Sequence, residues 1–111
     1  MMAMHPLWES VRRHLEERRR PVEDEIRRYP SPIAGCDAHF NYLLEQRALL
    51  SRELVRLAEA MRADAPDASG PADAFIRSSA CIDAAAGEEI RARAFDPALS
   101  GVTRGAAPCR R

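Results

Sequence analysis

A regular series of apolar residues in the middle of the chain constrains its fold more than any other feature. Apolar side chains follow one another there at intervals of three and four residues, with one interruption, at Arg47. The members of this series, called here the seam, are Phe40, Leu43, Leu50, Leu54, Leu57 and Met61. Such spacing puts the side chains on one face of an α-helix and is typical of coiled-coil packing. The sequence therefore predicts a helix from Asp37, its expected N-cap, to about Ala63.

An amphipathic helix is also predicted upstream, from Pro6 to Arg28. Its charged face carries residues of opposite sign four positions apart, which stabilise a solvated helix. Its apolar positions share one helical face and are Trp8, Val11, Leu15, Val22, Ile26 and Tyr29. Pro21 removes a backbone donor and crowds the preceding turn, so we expect a kink or a break near Arg20. The segment 29–35 is rich in proline and glycine and is expected to reverse the chain.

These elements predict an all-α fold built on an antiparallel two-helix hairpin, coiled-coil-like in its packing, over residues 1–63. Residues 64–72 have the composition of a linker. Residues 73–94 predict a marginal helix weakened by Gly87, and residues 95–111 are expected to be a disordered tail. Leucine, isoleucine, valine and phenylalanine make up only 21 of 111 residues, most of them before residue 63. A large single core is therefore excluded.

The second helix carries more apolar surface than one hairpin can cover. Beside the seam runs a second stripe, which is defined by Leu44, Ala48, Val55 and Ala58, and Tyr42 and Leu49 lie outside both. The interface candidates are Tyr42, Leu44, Leu49, Val55 and Ala58. They predict a homodimer, forming a four-helix bundle, or contact with a partner helix. The alternative is that residues 73–94 fold back and cover this surface.

Arginine accounts for all 17 basic residues and gives two further hypotheses. Six arginines recur along the first helix as a candidate nucleic-acid stripe, although interleaved acidic residues neutralise it. They are Arg12, Arg13, Arg19, Arg20, Arg27 and Arg28. Arg18 and Arg47 are expected at one level of the seam, where they would pair locally, extend past the seam to solvent or bind an anion. The net charge of zero indicates no global attraction to nucleic acid or anionic lipid.

Part of the second helix resembles the first helix of the all-helical chorismate mutases. The matching residues are Ile33, Asp37, Phe40, Leu43, Leu44 and Arg47. In those enzymes the arginine at the place of Arg47 binds a substrate carboxylate, so the resemblance implies a small helical enzyme or anion binder. It covers only residues 33–47, and Ala58 stands where those enzymes have a lysine.

The remaining polar residues predict no catalytic, metal or cofactor site. Cys36, Cys81 and Cys109 form no C-x-x-C pair and are expected to be reduced, which favours a cytoplasmic protein. Cys36, Asp37 and His39 lack a fourth zinc ligand. Neither a signal peptide nor a membrane-spanning segment is expected. We therefore expect a small, non-enzymatic helical interaction or regulatory protein, with nucleic-acid binding and an Arg47 site as the alternatives.

Overall fold

The computed structural model describes residues 5–30, 37–63, 69–95 and 109, and over these ranges it is all-α, with four helices and no strand. The helices are α1 (Pro6–Arg28), α2 (Ala38–Ala63), α3 (Ser69–Ser78) and α4 (Ala84–Phe95). The all-α prediction is confirmed. The segments 31–36 and 64–68 lie outside the described residues, as do most positions of the predicted tail.

The first helix has the predicted bounds, but it does not end at its internal proline. Pro21 is exposed, and α1 continues through it to Arg28, so the break expected near Arg20 as one of two alternatives is wrong, and the kink stays a prediction. Leu15 before the proline is buried in the core, and Val22 after it packs against the same core. Packing on both sides therefore offsets the backbone hydrogen bond that a proline removes.

The second helix begins at the capping residue that the sequence predicts. The carboxylate of Asp37 accepts the backbone N–H of Phe40 at 3.0 Å, which satisfies one free donor of the first turn. The same oxygen accepts the hydroxyl of Tyr29 at 2.8 Å. The end of α1 is thus joined to the start of α2.

Two short helices stand where the sequence predicts one marginal helix over 73–94. The helix α3 begins at Ser69, inside the predicted linker, and the chain leaves helical geometry between Ser79 and Asp83. Asp83 caps α4, because its carboxylate accepts the N–H of Ala86 at 2.7 Å. A Cβ added at Gly87 would lie 3.1 Å from the side chain of Ile76. The glycine that weakens a single helix therefore allows α3 and α4 to pack closely.

The core unites α1 with all three other helices. Trp8 is fully buried and lies 6.4 Å, ring to ring, from Phe75 of α3. Among the described helices, α4 contacts α1 and α3 but not α2. Much of the core comes from residues beyond position 63, although most of the large apolar residues precede that position. The later core residues are Ala72, Phe75, Ile76, Cys81, Ile82, Ala86, Ile90 and Cys109.

A disulfide joins Cys81 to Cys109, so the expectation that the cysteines are reduced is wrong for this pair. Cys109 is buried, and its backbone N–H donates to the Oε1 of Gln46 at 2.8 Å. This residue of the predicted tail is therefore attached to the core. Cys36 lies outside the described residues.

Candidate interaction surface

The second stripe lies on the side of α2 that faces away from the core. Val55 is 59% exposed, Ala48 and Ala58 are exposed, and Leu44 is half-buried. The helices α3 and α4 pack on the core side, so the alternative in which residues 73–94 cover this stripe is wrong for the helices described. The result is an aliphatic strip on a continuous helix that no other described helix covers.

The two interface candidates outside the stripe have different surroundings. Tyr42 is 40% exposed, and its ring stacks on that of His39 with a centroid distance of 6.1 Å. Leu49 is half-buried and packs against the hydrophobic core of its own chain. Tyr42 therefore extends the exposed surface, whereas Leu49 contributes to the interior.

The polar residues on the buried face of α2 are not the predicted ones. Arg47 is exposed and is not among the buried residues of α2. Gln46 and Glu53 occupy the buried face instead, between Leu43, Leu50 and Leu57. Both polar side chains have partners from distant parts of the chain, which the local pattern does not reveal.

Arg18 is bound by a backbone carbonyl of the turn between α3 and α4. Its Nη1 donates to the carbonyl oxygen of Cys81 at 2.8 Å. Burial lowers the pKa of the Arg18 guanidinium, and the charge of Asp83 opposes this shift. Arg18 thus holds the turn between α3 and α4 against α1.

The arginine stripe of α1 is paired with carboxylates along the same helix. Arg12 contacts both Glu9 and Glu16, and Arg19 lies 3.4 Å from Glu23. Arg27 is bonded to Asp24. The three remaining members, Arg13, Arg20 and Arg28, are exposed. The carboxylates therefore neutralise part of the stripe, as the alternating charges predict.

A buried carboxylate network between α2 and α3 was not predicted. Glu53 accepts the hydroxyl of Ser79 at 2.5 Å and two N–H groups of Arg56 at 2.9 and 3.0 Å. Burial alone would raise the pKa of Glu53, but these hydrogen bonds outweigh it and hold the pKa below its ordinary value. The Arg56 guanidinium also lies 4.2 Å above the ring of Phe75. The network fixes the end of α3 on α2.

A second unpredicted polar cluster joins α1 to α4. Arg93 is almost fully buried and forms a two-pronged ion pair with Glu17, at 3.0 and 3.1 Å. His14 lies nearby, and burial, reinforced by the charges of Arg18 and Arg93, lowers its pKa to about 4. An arginine in the apolar face of α4 needs a partner, so the sequence could have predicted an ion pair of Arg93. That prediction requires the bounds of α4, which the sequence did not provide.

Comparisons with known proteins assign no family. No family model, curated protein or solved structure matches the chain. Across the described residues, no group of three histidine, cysteine or acidic side chains could hold a metal ion. None of the four helices is long and apolar enough to cross a membrane.

Proposed function

We propose that this chain is a small, non-enzymatic interaction protein that acts through helix–helix contact on the outer face of α2. The observation that carries the proposal is the second stripe, where Val55 is 59% exposed between two exposed alanines. Aliphatic side chains in a row along a helix lose water-exposed area when a partner helix packs on them. Small residues in the same row allow a close approach.

The charged and polar groups elsewhere support a binding role over an enzymatic one. The buried polar side chains Glu53 and Arg93 are each held in contacts that join two helices. Arg47, the candidate anion ligand, is exposed, and Arg18 donates to the backbone carbonyl of Cys81. The arginine stripe has carboxylate partners, which disfavours the nucleic-acid alternative.

The arrangement that fits this proposal is the antiparallel α1–α2 hairpin doubled into a four-helix bundle. Contacts at both ends of the α1–α2 pair support the hairpin: Tyr29 bonds to Asp37 at one end, and Arg12 and Met61 line one cavity at the other. In such a bundle the two α2 helices meet along the second stripe.

A matched pair of substitutions tests the proposal. Ala48 in the second stripe and Ala92 on α4 are both exposed helical alanines. We expect the wild-type chain to elute above its monomer mass of 12.4 kDa from an extract of the cells that produce it. Ala48→Glu should shift it to the monomer position, because a charge would be desolvated at the contact, whereas Ala92→Glu should not.

The control for folding is the helical circular dichroism of both variants, which should equal that of the wild type. Elution of the wild type as a monomer in extract, or an assembly that Ala48→Glu leaves intact, would contradict the proposal.

A further inference from the structure

We propose that the partner of the second stripe is a second copy of the same chain, with the two α2 helices antiparallel and residues whose numbers sum to 99 facing each other. This inference rests on the proposed function and names its partner. Leu44 of one copy would face Val55 of the other, and Ala48 would face Ser51. Both larger aliphatic side chains are then covered by each other, and the small ones lie where the helices come closest.

The first argument is the heptad spacing of the stripe. Leu44, Ala48, Ser51, Val55 and Ala58 follow one another at intervals of four, three, four and three residues. This alternation keeps one straight strip facing a partner helix over the length of α2. Ser51, which is half-buried, completes the strip between Ala48 and Val55.

The second argument is the charge pattern along one edge of the strip. Glu45, Arg52 and Glu59 follow one another every seven residues, so they occupy equivalent positions beside the strip. In antiparallel helix pairs equivalent edge positions face each other across the interface. Partners along the two edges are offset by two from those of the strip, so their numbers sum to 97 on this edge and to 101 on the other. The proposed register therefore places Arg52 of each copy beside Glu45 of the other. Glu45 also interacts within its own chain, and a carboxylate accepts more than one donor.

Neighbouring registers and the parallel arrangement fit the charges or the helix length less well. A shift of seven residues to a sum of 106 would oppose Arg52 to itself and Glu45 to Glu59. A sum of 113 would pair Arg52 with Glu59 but would leave the first half of α2 without contact. A parallel pair would set Arg47, on the opposite edge, against Arg52. The proposed register alone combines opposite charges with overlap of nearly the whole 26-residue helix.

The third argument is a cavity of about 240 Å³ between α1 and α2, beside the stripe. Its apolar lining includes Leu54 and Ala58, and α1 contributes the charged residues Arg12, Glu16 and Arg19. In the proposed register Arg47 of the second copy lies over Leu54. An arginine there can cover the apolar lining with its aliphatic part and share Glu16 with Arg12, which lies 3.8 Å from that carboxylate. The exposed Arg47 thereby gains a role in the contact between the two copies.

Charge reversal and rescue in the full-length purified chain test the arrangement. Sedimentation or light scattering should show a wild-type dimer. Arg52→Glu should raise the dimer dissociation constant about tenfold or more, since twofold symmetry turns two attractive pairs into repulsive ones. Adding Glu45→Arg to Arg52→Glu should restore the wild-type affinity, whereas adding Glu59→Arg should not. All variants are compared at equal helical content.

Three other results would each contradict the inference and would indicate a different arrangement. If Glu59→Arg and not Glu45→Arg rescues Arg52→Glu, the register with a sum of 113 is indicated. If Arg52→Glu associates more tightly than the wild type, the parallel pair is indicated. A wild-type chain that is monomeric when purified overturns the second copy as partner. The proposed function survives that result if the chain still assembles in extract and Ala48→Glu abolishes the assembly.

A distance measurement keeps the inference testable if a charge variant fails to fold. A spin label on Arg62→Cys, in a Cys36→Ser background, reports the separation of the two helix ends. The proposed register places the labelled positions about 37 Å apart along the helix axis, and the register with a sum of 113 places them about 17 Å apart. A parallel pair gives about 10 Å, the spacing between helix axes. Either of the short distances contradicts the inference.

Discussion

His14 is the residue whose chemistry depends most on its surroundings. It is 6% exposed, and its Nε2 has no hydrogen-bond partner in the structure. Burial first, and then the positive charges of Arg18 and Arg93, lower its pKa from 6.5 to about 4. The folded protein therefore keeps His14 neutral in a pH range where the unfolded chain binds a proton.

This shift predicts a loss of stability in mild acid. Between pH 6.5 and 4 the unfolded state takes up a proton at His14 that the folded state does not, so stability falls as the pH falls. The loss approaches about 3 kcal/mol at pH 4. His14→Gln should flatten this part of the pH profile measured by urea unfolding. Equal slopes for His14→Gln and the wild type would refute the assignment.

The arginine stripe gives a prediction at the scale of one helix. The wild-type chain should show no detectable oligonucleotide binding at physiological salt, since Glu16, Glu23 and Asp24 offset the arginines of α1. Replacing these three carboxylates by their amides should create binding that weakens as salt is raised. Fluorescence anisotropy with duplex and single-stranded probes measures both. Submicromolar binding by the wild type, lost when Arg19 and Arg20 are replaced, would favour the nucleic-acid function instead.

Helix bounds were predictable where capping and periodicity agree. Pro6 and Asp37 mark helix starts by local chemistry alone, and α1 and α2 begin as these residues indicate. The buried face of α2 was not predictable in the same way. Leu43, Leu50 and Leu57 fit two helical patterns, one that continues through Leu54 and Met61 and one that continues through Gln46 and Glu53. Hydrophobicity favours the first.

The structure buries the pattern that contains Gln46 and Glu53, because distant residues supply hydrogen bonds to both polar side chains. Gln46 accepts the N–H of Cys109, 63 residues away, and Glu53 accepts the hydroxyl of Ser79, 26 residues away. A buried polar group without such a partner would be unfavourable. Nothing in the neighbourhood of Gln46 or Glu53 indicates that these partners exist, so the rotation of α2 about its axis required the structure. The existence of the second stripe, by contrast, followed from periodicity alone, but that α3 and α4 leave it uncovered required the structure.

The disulfide gives a prediction for the whole molecule. It links positions 28 residues apart, and closing a loop of that size stabilises a protein by about 3 to 4 kcal/mol. Cys109→Ser should lower the free energy of unfolding by about that amount, whereas Cys36→Ser should leave it nearly unchanged. Thiol titration of the oxidised protein in denaturant should find one free cysteine. Three titrating thiols, or equal stability of the two variants, would contradict the bond.

The same bond changes what the cysteines indicate about location. Disulfides persist where the surroundings are oxidising and are rare in the cytosol. Reduced cysteines were the basis for expecting a cytoplasmic protein, and the pairing of Cys81 with Cys109 removes that basis.

Contact between the first and last helices has a consequence for how the protein is made. The hydroxyl of Ser10 donates to the carbonyl of Ile90, a separation of 80 residues along the chain. A ribosome adds roughly 5 to 20 residues each second, so α1 leaves it about 4 to 16 s before α4 does. Throughout that interval the face of α1 that will receive α4 stays uncovered, and a chaperone that recognises nascent apolar helices has its target there.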